Sequence, residues 1–438
     1  IDIITAVVSM MPPAWEKDKK ISKNAKEMLE YFSLYEEKND GPAALIFCDG
    51  NIVGARLDRL GLRPLRTTET TEYLAVMSEA GQIDFLPSTI ISLGRIEAGG
   101  MLYFDHSDKK IYHTEEAIEK ISKLDDYTQK LYNSRTNLHE LNAIDGIDEE
   151  IKSEKFSLHG KYVAYSHNQE SFKFLMDPML TSGTEKVSAM GYGNAINALN
   201  DNEGGIAKYF SQRFAQVTNP PLDSIRELEG MTLRLALGCK PKFGTQDSHQ
   251  LILKTPILNK NEFIKLKNQI KVPILCCDML FQVNTKNLED TKNTLKKSIN
   301  SLCEKIGSFA KETGGIVILS DKGINFEKAP VPMILATSAI NQFLIDNGLR
   351  MKVSLVIESG QVSSSHHVSC ALGFGASAIY PLSVQLRAEE KYADDPEKAF
   401  LSFTKATEKA LLKTMGKVGL CTVESYIGGE FFEPNFLN

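Results

Sequence analysis

The sequence predicts a protein of mixed α/β and α+β class: an antiparallel sheet region first, then a parallel strand–helix repeat. Three observations carry this. Near the start, Asp40-Gly41-Pro42 leads into an apolar run, Ala44 to Cys48, an Asp49-Gly50 turn and a return run, Ile52 to Leu57. That is the pattern of a β-hairpin. From about residue 271 onward, short apolar runs alternate with amphipathic helical stretches. Between the two, residues 114 to about 155 are rich in Glu, Lys, Asp and Asn. Such a stretch reads as an exposed helical linker.

Taken in order, residues 1–113 read as mixed β with one helix, Lys23 to Glu37. Beyond the hairpin, the Gly61–Pro64 loop leaves the sheet with Arg59 and Arg63 close to its edge, and Tyr73–Ser78 and Met101–Phe104 add strands. Residues 156 to about 270 read as mostly helical. After them, strands at Ile274–Cys277, Ile316–Ser320, Ser354–Ile357 and Ala376–Tyr380 alternate with helices at Leu288–Glu312, Val331–Asn347, Ser364–Gly373 and Glu397–Met415. Leu420–Val423 reads as a closing strand. Continuous apolar strands between amphipathic helices imply a parallel sheet covered on both faces. Unbroken repetition favours a barrel or partial barrel over an open sheet.

A chain of 438 residues should hold two or three domains. Its 42% apolar and 24% charged fractions are those of an ordinary globular protein. The net charge of −6 argues against broad nucleic-acid binding. No apolar run approaches the ~18 residues of a membrane span. The seven cysteines are scattered, and Cys276-Cys277 is adjacent rather than Cys-x-x-Cys. They read as reduced thiols of a cytoplasmic protein, without cluster or zinc spacing. The chain opens at Ile1 in an apolar stretch that runs to Met11 and lacks a signal-peptide pattern. The expectation is a fragment of a longer protein, with apolar surface exposed at Ile1–Met11 and Phe431–Leu437.

Acids stand just past three strands of the repeat: Asp278, Asp321 and Glu358, with His366-His367 nearby. A free-standing barrel enzyme would use such groups for acid–base work or metal binding. The plainer alternative is that Asp321 and Glu358 cap loops or helix N-termini. Adjacent helical positions diverge by about 100°, so the two histidines cannot easily share one metal.

Several motifs, in order along the chain, resemble one family. Met10-Met11, Ala14-Trp15 and the run from Asp40 to Pro64 resemble the closing sheet of class II glutamine amidotransferase domains, specifically the glutaminase domain of glutamate synthases. Leu60 stands where that family usually has Asn, and Pro13 where it has Glu. Phe174–Met179, Ala189-Met190-Gly191 and the run Phe214–Glu227 resemble the family's central domain, the last most specifically. Ser320-Asp321-Lys322-Gly323, Ala329–Pro332, Glu358-Ser359-Gly360, Ser365-His366-His367, Gly373–Ala376, Lys413–Gly419 and Ser425–Glu433 continue the likeness. Ile427 and Gly429-Glu430 depart from the family's Arg and Ala-Gln.

The resemblance implies the C-terminal part of an Ntn-type glutaminase domain at residues 1–113, a helical linker at 114–155, and a degenerate-barrel central domain at 156–438. The parent enzyme would make L-glutamate from L-glutamine and 2-oxoglutarate, passing ammonia between two active sites. Its FMN barrel, iron–sulfur cluster and nucleophilic cysteine would lie outside this chain. Partners would be the remaining domains and an electron-donating subunit or ferredoxin. The resemblance lowers the standing of Asp278, Asp321 and Glu358 as catalysts, and implies no catalytic, cofactor or metal residue here. It raises Met190, Gln216, Thr218 and Asn219 as candidates for the wall of the ammonia path or for a domain interface. A non-catalytic binding scaffold is the remaining alternative.

Overall fold

The computed structural model describes residues 1–35, 38–142, 156–186, 205–213, 222–242, 245 and 248–434. These form two compact units. The first comprises residues 1–134 with the described parts of 216–232 and 415–425; the second holds the rest.

In the first unit the hairpin forms as its sequence implies. Ala44–Cys48 pairs antiparallel with Ile52–Leu57, Ala44 opposite Leu57 and Cys48 opposite Val53. Gly50 takes φ +95°, and the Asp49 carboxylate accepts the N–H groups of Asn51 (2.9 Å) and Ile52 (2.7 Å). Met101–Asp105 and Lys110–His113 complete a four-stranded antiparallel sheet. Arg66–Thr70 lies between Leu74–Met77 and Ile90–Arg95 in a separate three-stranded antiparallel sheet.

The apolar opening is covered by its own unit, contrary to expectation. Residues Ile3–Met10 form a helix capped by Asp2, whose carboxylate accepts the Thr5 N–H at 2.9 Å. Ile4, Val7, Val8 and Met11 are buried, whereas Ile1 and Met10 stay exposed; in the second unit Phe432 is buried, and residues 435–437 lie outside the described residues. An amphipathic helix supplies its own reason for burial, namely the apolar face itself. The helices expected in the linker, Thr114–Ser122 and Tyr127–Ser134, likewise bury Ala117, Ile118, Ile121 and Leu131 instead of standing in solvent. Their apolar residues are few but fall on one face, a pattern that overall polarity hides.

In the second unit, Ile274–Asp278, Gly315–Ser320, Val353–Ser359 and Ala378–Pro381 pair in parallel, in chain order. Helices Leu288–Glu312, Met333–Asp346 and Ser365–Gly373 connect them. Every residue of Val353–Ser359 is buried, as the continuous apolar run requires of a strand covered on both faces. One parallel bridge, Ile257 to Ile379, brings the segment preceding the first strand beside the last. The order therefore lacks the reversal of a doubly wound sheet. The Pro396–Val418 helix buries Ala399, Phe400, Phe403 and Ala406 against Met176, Met179 and Val384.

Two expectations are corrected. The described part of the region after residue 156 is not helical throughout, because beside its helices it contains Leu235–Leu237 and Gln250–Leu253, which join Arg135–Asn137 in a three-stranded sheet. Strands of three or four residues are too short to show a period. Leu420–Val423 forms no strand; Thr422 makes a single bridge to Thr232, and a short helix, Val423–Tyr426, begins there. Among the described residues no helix is long and apolar enough to cross a membrane.

Gly315 is the position at which the sheet tolerates least. It has φ +132°, and a Cβ there would stand 2.3 Å from the carbonyl oxygen of Pro273. Gly315→Ala should destabilise the chain by more than about 2 kcal/mol, through strain and overpacking together. Chemical denaturation of the full chain reads this directly, and an unchanged midpoint would refute it.

Candidate functional site

All four residues singled out from the sequence, Met190, Gln216, Thr218 and Asn219, lie outside the described residues. Two polar constellations elsewhere have the geometry of organised sites.

The first is a junction inside the first unit, where residues far apart in sequence meet. Asp40 precedes the hairpin, and its Oδ2 accepts three donors: the backbone N–H groups of Cys421 (3.1 Å) and Thr422 (2.8 Å) and the Thr422 hydroxyl (2.7 Å). Lys38 is buried and pairs with Glu424 at 3.0 Å. The Ser425 hydroxyl donates to the Lys38 carbonyl. Nearby, Asp58 organises the loop that follows the hairpin. Its carboxylate accepts the N–H groups of Leu62 (2.8 Å) and Arg63 (2.9 Å), which fixes the turn.

Arg59 points the other way. Its Nη2 pairs with Glu16 at 2.7 Å, while Nε donates to the Gly230 carbonyl at 2.8 Å and Nη1 to the Pro13 carbonyl at 3.3 Å. Gly230 ends the Ser224–Gly230 helix, whose last carbonyls have no partner within the helix. Lys17 joins Arg59 there, donating to the carbonyls of Leu228 (2.6 Å) and Met231 (3.2 Å). Two cations at a helix C-terminus satisfy its carbonyls and oppose its dipole. Asp223 caps the other end, accepting from Ile225 and Arg226. Burial opposes the charge of Glu16, but Arg59 and Lys38 outweigh it and hold its carboxyl below the usual range.

The second constellation lies at the C-terminal ends of the parallel strands in the second unit. Asp321 is wholly buried, and its carboxylate accepts from the Ser359 hydroxyl (2.5 Å), the Gly360 N–H (2.9 Å) and the Gln361 amide (3.0 Å). The Tyr165 hydroxyl donates to the Asp321 carbonyl at 2.9 Å, and the Tyr165 ring packs on Gly360. Such saturation makes Asp321 a structural acceptor that shapes the turn after its neighbour strand. Glu358 is buried on that strand, whereas Asp278 is exposed on the edge strand. The three acids therefore do not converge on one reacting centre. The histidines also part company. His366 Nε2 contacts the Ala207 carbonyl at 2.8 Å, whereas His367 Nδ1 accepts from the Ser363 N–H at 3.0 Å. Burial pushes His367 down to about 3 and lowers His366, so both are neutral near pH 7.

Two further side chains stand at this strand end. Tyr165 and His167, whose Nε2 meets the Gly360 carbonyl at 2.6 Å, already close it. Sequence reading located Asp321 but missed Tyr165, His167, Lys17 and the Asp40 anchor. Their partners lie more than a hundred positions away, and no local spacing announces them.

Burial also pushes Asp321 up to about 6. The unfolded value lies near 4, so between about pH 4 and 6 the native state holds a proton that the unfolded chain releases. Stability from this group falls as pH rises through that window. Asp321→Ala should remove that slope. It should also cost about 1–3 kcal/mol by leaving the Ser359, Gly360 and Gln361 donors unpaired. Urea midpoints measured across this pH range check both, and an unaltered slope would contradict the assignment.

Comparison with known proteins divides the chain by sequence in two, with a boundary that the two compact units cross. The glutamate synthase central domain family matches residues 160–437, and the class-II glutamine amidotransferase family matches residues 1–130. The ferredoxin-dependent glutamate synthase of Cyanidium caldarium is 31% identical over 455 residues, spanning 98% of this chain and 29% of that protein. The NADH glutamate synthase of Schizosaccharomyces pombe is 31% identical, over 99% of this chain and 21% of its own length. The NADPH glutamate synthase large chain of Bacillus subtilis is 31% identical, over 97% and 28%. The chain thus spans less than a third of these relatives. Among solved structures, the flavin-binding domain of baker's yeast flavocytochrome b2 is 18% identical over 30% of this chain and 32% of its own, at a TM-score of 0.25, which carries no argument. With its central-domain match over more than half its length and an amidotransferase match before it, the chain belongs to the glutamate synthase family.

Proposed function

We propose that this chain is the connecting part of a glutamate synthase large chain, which forms L-glutamate from L-glutamine and 2-oxoglutarate and passes ammonia between two active sites. In this reading residues 1–113 are the C-terminal part of the glutaminase domain, 114–155 a helical linker, and 156–438 the central domain. FMN and the iron–sulfur cluster belong to other parts of the parent. Those parts, with an electron-donating subunit or ferredoxin, are its partners.

One observation carries this reading. Residues 222–232 and 415–425 fall within the central-domain match, yet fold into the same unit as residues 1–134. Asp40, Lys38, Arg59 and Lys17 hold them there. A region that interlocks two family segments through charged contacts, those of Lys38 and Arg59 buried, is suited to keep them in fixed register, as ammonia transfer requires. In the sequence, residues 216–221 stand shortly before the anchored Ser224–Gly230 helix. We therefore retain Gln216, Thr218 and Asn219, with Met190, as candidates for the path wall or a domain interface.

Two measurements on a glutamate synthase carrying this chain test the reading. Asp40→Ala leaves the Thr422 and Cys421 donors without their acceptor and should raise the ratio of glutamine consumed to 2-oxoglutarate consumed above one. Thr218→Phe should do the same by narrowing the path, with each half-reaction intact when assayed alone. A one-to-one ratio with normal turnover in both variants would overturn the connecting role.

A further inference from the structure

A cleft of about 1000 Å³ opens in the first unit beside the loop that Asp58 organises. Its walls carry Lys19, Lys20, Arg63, Arg66 and Arg95. All five are exposed, and among the described residues none of their side chains has a hydrogen-bond or ion-pair partner. Asp18, Glu97 and Glu229 also line the cleft; the Asp18 carboxylate accepts the Lys20 backbone N–H at 2.7 Å. Positive charge still prevails here, in a chain whose net charge is −6.

Two features separate this cleft from an ordinary solvated basic surface. Arg66 and Arg95 stand directly opposite each other on adjacent antiparallel strands. Like charges in that position repel and destabilise the pair. Arg63 sits on a turn whose backbone is already fixed by Asp58, so its guanidinium is presented on a rigid base. Several guanidinium groups lining one concavity of this size offer the forked donors that carboxylate and phosphate oxygens accept.

We propose that this cleft binds a small, multiply charged oxyanion, a molecule bearing two or more carboxylate or phosphate groups, clamped between Arg63 and the Arg66–Arg95 pair. The bound anion relieves the cross-strand repulsion, and the lysines at the rim draw it in. Arg59, Lys17 and Gly230 of the junction also line this cleft, but the two cations spend donors on Glu16 and on backbone carbonyls, which leaves the anion to Arg63, Arg66 and Arg95.

Titration calorimetry of the full chain with citrate and with inorganic pyrophosphate, at constant ionic strength to fix screening, tests this. At least one probe should bind, and which one does distinguishes carboxylate from phosphate recognition. Affinity should fall about tenfold or more in the double variant Arg66→Gln/Arg95→Gln, a loss of the size expected for charge-assisted pairs. The ligand-free Tm of that variant should be unchanged or higher, because a repulsive pair has been removed. Arg63→Gln, which leaves both strands intact, should also weaken binding. The proposal is overturned if neither probe binds by roughly 10 mM, if both variants bind as tightly as the parent sequence, or if only a polyglutamate peptide binds.

Discussion

The first unit depends on charged groups that bridge long stretches of sequence. Asp40 meets Thr422 across 382 positions, and Arg59 meets Gly230 across 171. Closing such loops costs entropy that grows only slowly with length, so strong contacts at the closure can offset it. The contacts here are charge-assisted and partly or wholly buried, the class of hydrogen bond in which removing one partner costs most. Arg59 is 5% exposed and Lys38 is 6% exposed, each with a carboxylate close by. An apolar seam would bury the same area without fixing a register. Forked donors and helix-end carbonyls fix one.

The second unit makes a different use of polar groups. A parallel sheet in chain order places its loops at one end, where an enzyme of this architecture would keep reactive side chains. Here that end is filled. Asp321 holds the Ser359-Gly360-Gln361 turn, Tyr165 lies over Gly360, and the histidines make separate backbone contacts. Asp321, at a strand end, thus serves a turn. The geometry that suggests chemistry in sequence serves structure in three dimensions.

Much of this was legible in the residues. The hairpin and the long Leu288–Glu312 helix match their sequence patterns because each is specified locally, by an Asp-Gly turn and by a long amphipathic period. The family was legible too, through runs such as Asp40–Pro64 and Phe214–Glu227. What escaped was non-local. The polarity of residues 114–134 concealed the stripe of Ala117, Ile118 and Ile121, and strands as short as Leu235–Leu237 carry no period. Asp40 stood in the run that leads into the hairpin, and nothing beside it in sequence names Thr422 as its partner. The opposition of Arg66 and Arg95 needs strand register, which sequence does not supply.

The central claim is that residues 222–232 and 415–425 are structurally part of the same unit as the amidotransferase-like segment. Amide hydrogen exchange on the full chain, with and without Asp40→Ala, tests it most directly. Protection should fall together at 415–425, at 222–232 and around Asp58–Arg63, while Gly315–Ser320 and Val353–Ser359 exchange as before. Unchanged protection at 415–425, or loss confined to the parallel strands, would contradict the claim.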